Sequence, residues 1–376
     1  MMPTPNLSPK PDAPKTATTA AAPSHGPSNI VNAETALADL QAFDAIIDVR
    51  SPAEFAEDHL PGAVNWPVLD NEQRRIVGTL YKASPFEGRK LGAALVARNI
   101  AAHLDAHVQG LDRNWRPLIY CWRGGQRSGA MTWFLGQIGF KSRQLHGGYK
   151  AYRAQVRDAL ATWPARFDLH IVCGPTGCGK TRFLHELTSA GAQVLDLEGL
   201  AAHRGSVLGA LPDQPQPSQK HFDSLLWTRL RELDASRPVY VESESRKIGQ
   251  LRVPETLHAA MRASPHCVWI EMSEAARVAL LLQDYSHFIA EPEVFCTQLD
   301  ALVTLRGREK VGQWQDKARA GAWAEVFGDL IREHYDPGYL RSLHNNYPQL
   351  DQAIRLEPAD GSPVSLQALA RHLLNQ

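Results

Sequence analysis

The sequence is poor in cysteine, in net charge and in long apolar runs, and each shortage removes a class of function. The five cysteines (Cys121, Cys173, Cys178, Cys267 and Cys296) are an odd number with no Cys-x-x-Cys spacing. That argues against a disulfide framework and against a structural zinc site of paired cysteines. A reducing cytoplasm is the expected setting. Lysine plus arginine total 40 and aspartate plus glutamate 40. A nucleic-acid partner must therefore be sought in local patches rather than in the overall field. No apolar run approaches the ~20 residues of a membrane span, so no membrane partner is expected. Residues 1–30 lack the apolar centre of a signal peptide. They are rich in Pro, Ala, Thr and Ser, which predicts a disordered tail.

What is present points to two α/β units. At roughly 150 residues per domain the length suggests two, and an apolar content of 44% supplies two cores. The runs 45–49 (AIIDV) and 117–121 (PLIYC) read as buried parallel strands, and 128–140 (SGAMTWFLGQIGF) as a helix. A second unit starts with 169–173 (LHIVC), followed by a Gly-rich turn and a helical 181–190. Further strands are expected at 192–199, 237–245 and 266–272, and the proline-bearing 211–219 reads as a loop. The expected divisions are a parallel-sheet domain over 31–160, a second α/β domain over 161–275 and a mainly helical region over 276–376 packed on it.

Two segments carry chemistry. In 120–131 (YCWRGGQRSGAM) a strand delivers Cys121 to its end, Gly124 and Gly125 follow, and Arg127 and Ser128 open a helix. Successive N–H groups in such a turn make an anion nest, reinforced by the helix N-terminus. Arg123 and Arg127 add charge, a setting that favours a reactive thiolate over a merely buried cysteine. The spacing of Cys121 to Arg127 also occurs in cysteine phosphatases, so the loop alone leaves two chemistries open. The second segment, 174–181 (GPTGCGKT), fits G-x-x-x-x-G-K-[ST] between a strand and a helix. Its backbone, through Gly174, Gly177 and Gly179, would wrap a diphosphate; Lys180 would neutralise it and the Thr181 hydroxyl would hold Mg²⁺. Cys178 reads as a small filler. Asp196, Glu198, Glu242 and Glu244, expected at strand ends, are candidates for a metal-binding acid.

Residues 46–67 (IIDVRSPAEFAEDHLPGAVNWP) resemble the rhodanese signature through Asp48, Arg50, Glu54, His59, Pro61, Gly62 and Asn65. A rhodanese-like domain followed by a P-loop domain is similar to the tRNA 2-selenouridine synthase family. Segments 65–82, 121–128, 196–209, 241–249 and 334–339 (HYDPGY) strengthen the likeness. The resemblance implies a P-loop NTPase-like second domain and a two-step reaction on the wobble uridine of tRNA for Lys, Glu and Gln. Geranyl diphosphate would S-geranylate 2-thiouridine, and selenophosphate would then supply selenium with loss of geranyl thiol. Cys121 is implied as the selenium carrier. No tightly bound cofactor is implied, and a monomer that binds no DNA is expected.

A tRNA substrate needs a basic surface. Between Arg113 and Arg157 there are nine Lys or Arg and no Asp or Glu, which suggests a positive face around Cys121 with Arg116, Lys141 and Arg143 as RNA contacts. Trp122 would either stack on a base or pack in the core. The competing readings are a nucleotide-dependent rhodanese-type sulfurtransferase and a cysteine phosphatase fused to a P-loop module. The first predicts turnover of thiosulfate without RNA, the second hydrolysis of aryl phosphates.

Overall fold

The computed structural model describes residues 29–375. The tail expected over 1–30 lies outside the described residues except for its last two, and Ile30 already belongs to the first strand. Strands β1 (Ile30–Val31), β2 (Ala45–Asp48), β3 (Ala63–Asn65), β4 (Pro117–Tyr120) and β5 (Arg143–Leu145) form a sheet in the order β1-β5-β4-β2-β3. All four pairings are parallel. Parallel strands are covered on both faces, which is why β2 and β4 read as unbroken apolar runs. Ile47, Leu118, Ile119 and Tyr120 are fully buried. Two helices, Asn71–Ala83 and Pro85–His107, intervene between β3 and β4 and pack on each other.

The helix Gly148–Thr162 and a short turn at Pro164–Arg166 lead into the second sheet. Its strands are β6 (Leu169–Cys173), β7 (Gln193–Leu195), β8 (Val239–Glu242), β11 (His266–Ile270) and β12 (Ile354–Leu356), in the order β12-β11-β6-β8-β7, again all parallel. A small ribbon, β9 (Lys247–Ile248) with β10 (Leu251–Arg252), follows β8. The region after 275 is mostly helical, but its end returns to the sheet as β12. The closing helix Pro363–Leu374 then packs on the helix that follows the phosphate loop. With only three residues, β12 is too short to show a strand period in the sequence.

The two sheets share buried side chains. One apolar cluster runs from Leu118 and Tyr120 through Tyr149, Tyr152 and Val156 to Ile171, Phe222 and Trp227. Tyr152 meets Trp227 edge-on, with centroids 5.5 Å apart. Around it lies a polar seam: Arg153 donates to Asp223 (2.8 Å) and to the Lys220 carbonyl (2.9 Å), and Lys220 pairs with Glu57 (2.6 Å). No helix among the described residues is long and apolar enough to cross a membrane.

Candidate functional site

Both candidate loops stand where ligands bind in parallel α/β sheets, beyond the carboxyl end of a central strand. In the first sheet that strand is β4. Cys121 follows it, only 3% exposed. Gly125 sits at φ +74° as the N-cap of the helix Gln126–Ile138. The Ser128 hydroxyl, in the first turn of that helix, donates to Cys121 Sγ at 3.3 Å. Gln144 of β5 supports the loop from below, donating to the Gly125 carbonyl (3.0 Å) and to Ser128 Oγ (3.2 Å). From the far side, Tyr149 N–H donates to the Cys121 carbonyl at 2.8 Å. Gly148, at φ +55°, permits this approach, because a Cβ there would run into that carbonyl.

The two loop arginines differ. Arg123 is exposed at the loop tip. Arg127 turns away to Glu54, 3.1 Å from Oε2. Burial acts to raise the Glu54 pKa, but Arg127 and the Ser51 N–H outweigh it and hold the carboxyl below its usual range. Arg127 therefore braces the loop against the helix Pro52–Glu57. Beneath lies a buried pair, Arg50 with Asp48 at 2.6 Å, with Arg50 stacked over the Tyr149 ring at 3.9 Å. Trp122 lies against Tyr149, centroids 5.3 Å apart and half-buried, so packing accounts for it.

In the second sheet the strand is β6. Gly174, Gly177 and Gly179 all have positive φ, and a side chain on Gly174 would strike the Ile270 carbonyl and Cys178 Sγ at 2.6 Å. Cys178 is fully buried, as the filler reading expects. Lys180 Nζ donates to the Gly174 carbonyl at 3.1 Å and lies 5.1 Å over the Tyr339 ring. Burial acts to lower its pKa. Tyr339, Cys178, Glu198 and Glu244 outweigh burial and hold the ammonium charged. Tyr339 OH meets Ser243 Oγ at 3.0 Å. Arg277 donates to the Thr176 carbonyl at 2.8 Å and clasps Asp336 through both terminal nitrogens (2.9 and 2.6 Å). The 334–339 segment thus has a physical role unassigned from the sequence: Asp336 and Tyr339 hold the phosphate loop and its lysine.

The acids gather at one point. Thr181 Oγ1 donates to Glu198 at 2.8 Å, and Glu198 N–H donates to Glu242 Oε1 at 2.8 Å. Glu198 lies in the short helix Leu197–Ala201, capped by Asp196, rather than at a strand end. Burial raises the pKa of Glu198 and Glu242, and burial with Glu198 nearby pushes Glu244 up to about 8. Glu242 Oε2 is buried without a hydrogen-bond partner. Three glutamates gathered beside a single lysine, with an unpartnered Glu242 oxygen and the Thr181 hydroxyl among them, fit a hard divalent cation such as Mg²⁺.

The basic run divides. Arg116, Lys141 and Arg143 stand at the amino ends of β4 and β5, across the sheet from Cys121. The count over 113–157 also overstates the charge, because acids from elsewhere fold onto it. Arg116 pairs with Asp44 (3.2 Å), Arg127 with Glu54, and Arg153 with Asp223. Arg113, Arg123, Lys141, Lys150 and Arg157 are exposed.

The chain thus joins a cysteine loop on a parallel five-stranded sheet to a phosphate loop on a second such sheet. The rhodanese-like domain profile matches residues 32–155 and that of the tRNA 2-selenouridine synthase AAA domain matches residues 167–302. A tRNA 2-selenouridine synthase of Cupriavidus pinatubonensis is 36% identical over 335 residues, 78% of this chain and 87% of that protein. One of Nitrosomonas eutropha is 32% identical over 79% of this chain and 88% of its own length. With one of Nitrosomonas europaea the identity is 38%, and the match spans 64% of this chain and 63% of that protein. The chain belongs to the tRNA 2-selenouridine synthase family.

Proposed function

We propose that the protein converts 2-thiouridine to 2-selenouridine at the wobble position of tRNA for Lys, Glu and Gln, through an S-geranyl intermediate. The reading rests on an intact cysteine loop and an intact phosphate loop in a chain matched to this family over most of its length. In the first step the diphosphate of geranyl diphosphate lies in the nest of Gly174, Gly177 and Gly179. Lys180 takes up the charge that develops as the thiouridine sulfur bonds to the geranyl carbon, the C–O bond to diphosphate breaks and N3 gives up its proton to solvent. Thr181, with Glu198, Glu242 and Glu244, would hold Mg²⁺, which supplies further charge stabilisation to a leaving diphosphate. In the second step the Cys121 thiolate, to whose sulfur Ser128 donates, attacks the phosphorus of selenophosphate. The P–Se bond breaks, the nest and Arg123 hold the hydrogen selenide anion that leaves, and water then cleaves the cysteinyl phosphate to thiol and phosphate. The hydrogen selenide anion then attacks C2, the C2–S bond breaks, and geranyl thiolate, a better leaving group than the sulfur of the unmodified base, departs and takes up a proton.

Arg116, Lys141 and Arg143 are proposed as RNA contacts together with the exposed Arg123 and Lys150. A four-residue strand is only ~13 Å long, so one RNA can touch both edges of the sheet. The deciding experiment supplies 2-thiouridine tRNA, geranyl diphosphate and selenophosphate to the pure protein and identifies nucleosides by mass spectrometry. Selenouridine that depends on both donors is expected. Absence of both products, with thiosulfate turnover or aryl phosphate hydrolysis instead, would give the chain to a sulfurtransferase or a phosphatase.

A further inference from the structure

The opposite edge of the second sheet carries a cluster that the reaction does not use. His170 on β6 and His266 on β11 are direct register partners on neighbouring parallel strands. Asp168 precedes His170 by two residues, and side chains two apart share a face. Three potential ligands from chain positions nearly a hundred residues apart are thereby set side by side by strand pairing alone. His170 Nε2 lies 3.3 Å from Asp168 Oδ2, and His266 Nε2 lies 3.6 Å from Asp168 Oδ1. The two rings stack with centroids 4.4 Å apart. One donor atom from each of the three falls within 4.8 Å of the others. Asp168 and His266 are exposed and His170 half-buried, so an ion can reach the site.

These separations can be tested against coordination geometry. An ion about 2.0–2.1 Å from each donor in a tetrahedral shell keeps its donors roughly 3.4 Å apart. The distances from the two histidine nitrogens to the Asp168 carboxylate, 3.3 Å to one oxygen and 3.6 Å to the other, lie on either side of that value. Two imidazoles with one carboxylate select a transition ion over Mg²⁺ or Ca²⁺, which prefer all-oxygen shells. We infer that Asp168, His170 and His266 form a binding site for a divalent transition-metal ion, with Zn²⁺ as its probe. The site stands at the amino ends of β6 and β11, whereas ligands of parallel α/β sheets bind at the carboxyl ends. Its role is therefore structural. It fastens β6 to β11 just after the chain leaves the Pro164–Arg166 turn that joins the two domains.

The test uses full-length protein stripped with chelator and titrated with Zn²⁺ in excess Mg²⁺, so that the carboxylate cluster at the phosphate loop is already occupied. The background is Cys121→Ser, which removes the loop thiol as a competing ligand. One Zn²⁺ per chain is expected, with roughly tenfold or greater loss of affinity in His266→Gln and in His170→Ala/His266→Ala. Zn²⁺ should also raise the unfolding midpoint of the parent and not of the double variant. Co²⁺ in place of Zn²⁺ should give visible absorption that the double variant lacks. Because His266 is exposed, its replacement does not threaten folding. Equal Zn²⁺ affinity in the parent and in His266→Gln, or equal stabilisation of parent and double variant, overturns the site.

Discussion

The two loops use the same backbone device and differ in what surrounds it. Each follows a central parallel strand, turns through glycines at positive φ and opens a helix. The cysteine loop is ringed by donors: Ser128 on the sulfur, Arg123 at the tip, Arg127 held back by Glu54. The phosphate loop sets one half-buried lysine against two glutamates, Glu198 and Glu244, and an aromatic ring. A nest that must hold an anion on a nucleophile needs donors. A nest that must hold a diphosphate with a cation needs acids as well, and burial raises their pKa, so a cation competes with protons for them. The two loops share one backbone geometry, and their neighbouring side chains differ in the anion they suit.

The sharpest way to break the comparison is to disable one loop and ask whether the other still works. Cys121→Ser should lower selenation by roughly three orders of magnitude or more while S-geranylation persists, read by nucleoside mass spectrometry. Selenouridine at the normal rate would remove Cys121 from the reaction. Lys180→Ala should be the mirror image, with geranylation reduced about 10²–10³-fold and selenation of pre-geranylated tRNA retained. Normal geranylation, or a strict ATP requirement in the unaltered protein, would give the phosphate loop a different ligand.

A smaller effect concerns the acids. The Glu244 carboxyl is raised to about 8 in the folded protein, chiefly by burial. The folded state therefore holds a proton that the unfolded state loses at ordinary carboxylate pH. Metal-free stability from this group is present below that range and is lost as pH rises toward 8. Mg²⁺ must displace the proton, so its affinity should climb with pH up to about 8 and level off above it. Glu244→Gln should flatten both curves. Unchanged pH profiles would mean that Glu244 faces neither the metal nor a desolvated site. The smallest effect concerns RNA. Reversing Arg116, Lys141 and Arg143 should reduce the slope of log affinity against log salt by about one for each phosphate no longer neutralised. Reversing Arg123 and Lys150 should do the same at the edge that bears Cys121. If only the second set alters the slope, tRNA lies on one edge of the sheet.

Both loops were legible in the sequence because each is a contiguous string whose residue types the local backbone demands. The strands beneath them were legible as apolar runs. Partners that come from afar were not. Nothing near Arg127 announces that Glu54 will take it, and nothing near Thr176 announces Arg277 and Asp336. The run from Arg113 to Arg157 looked uniformly basic because the acids that neutralise part of it, Asp44, Glu54 and Asp223, lie outside it. Its splitting across the sheet follows from strand direction, which residue spacing does not reveal. His170 and His266 are likewise joined only by register. Asp336 and Tyr339 were visible as a family segment, but their work on the phosphate loop needed the fold.

The apolar cluster that crosses from one sheet to the other has a consequence for how the substrate is handled. Tyr152, Val156 and Trp227 belong to a single packed interior rather than to two bodies touching at a surface. Such an interior melts cooperatively, so calorimetry should record one transition, and halves expressed separately should each carry an exposed apolar wound. It also leaves no hinge there about which one domain could swing to bring its chemistry to the other. On the proposed two-step reading the movement falls to the substrate: a uridine geranylated in one cleft would have to be let go and threaded into the next.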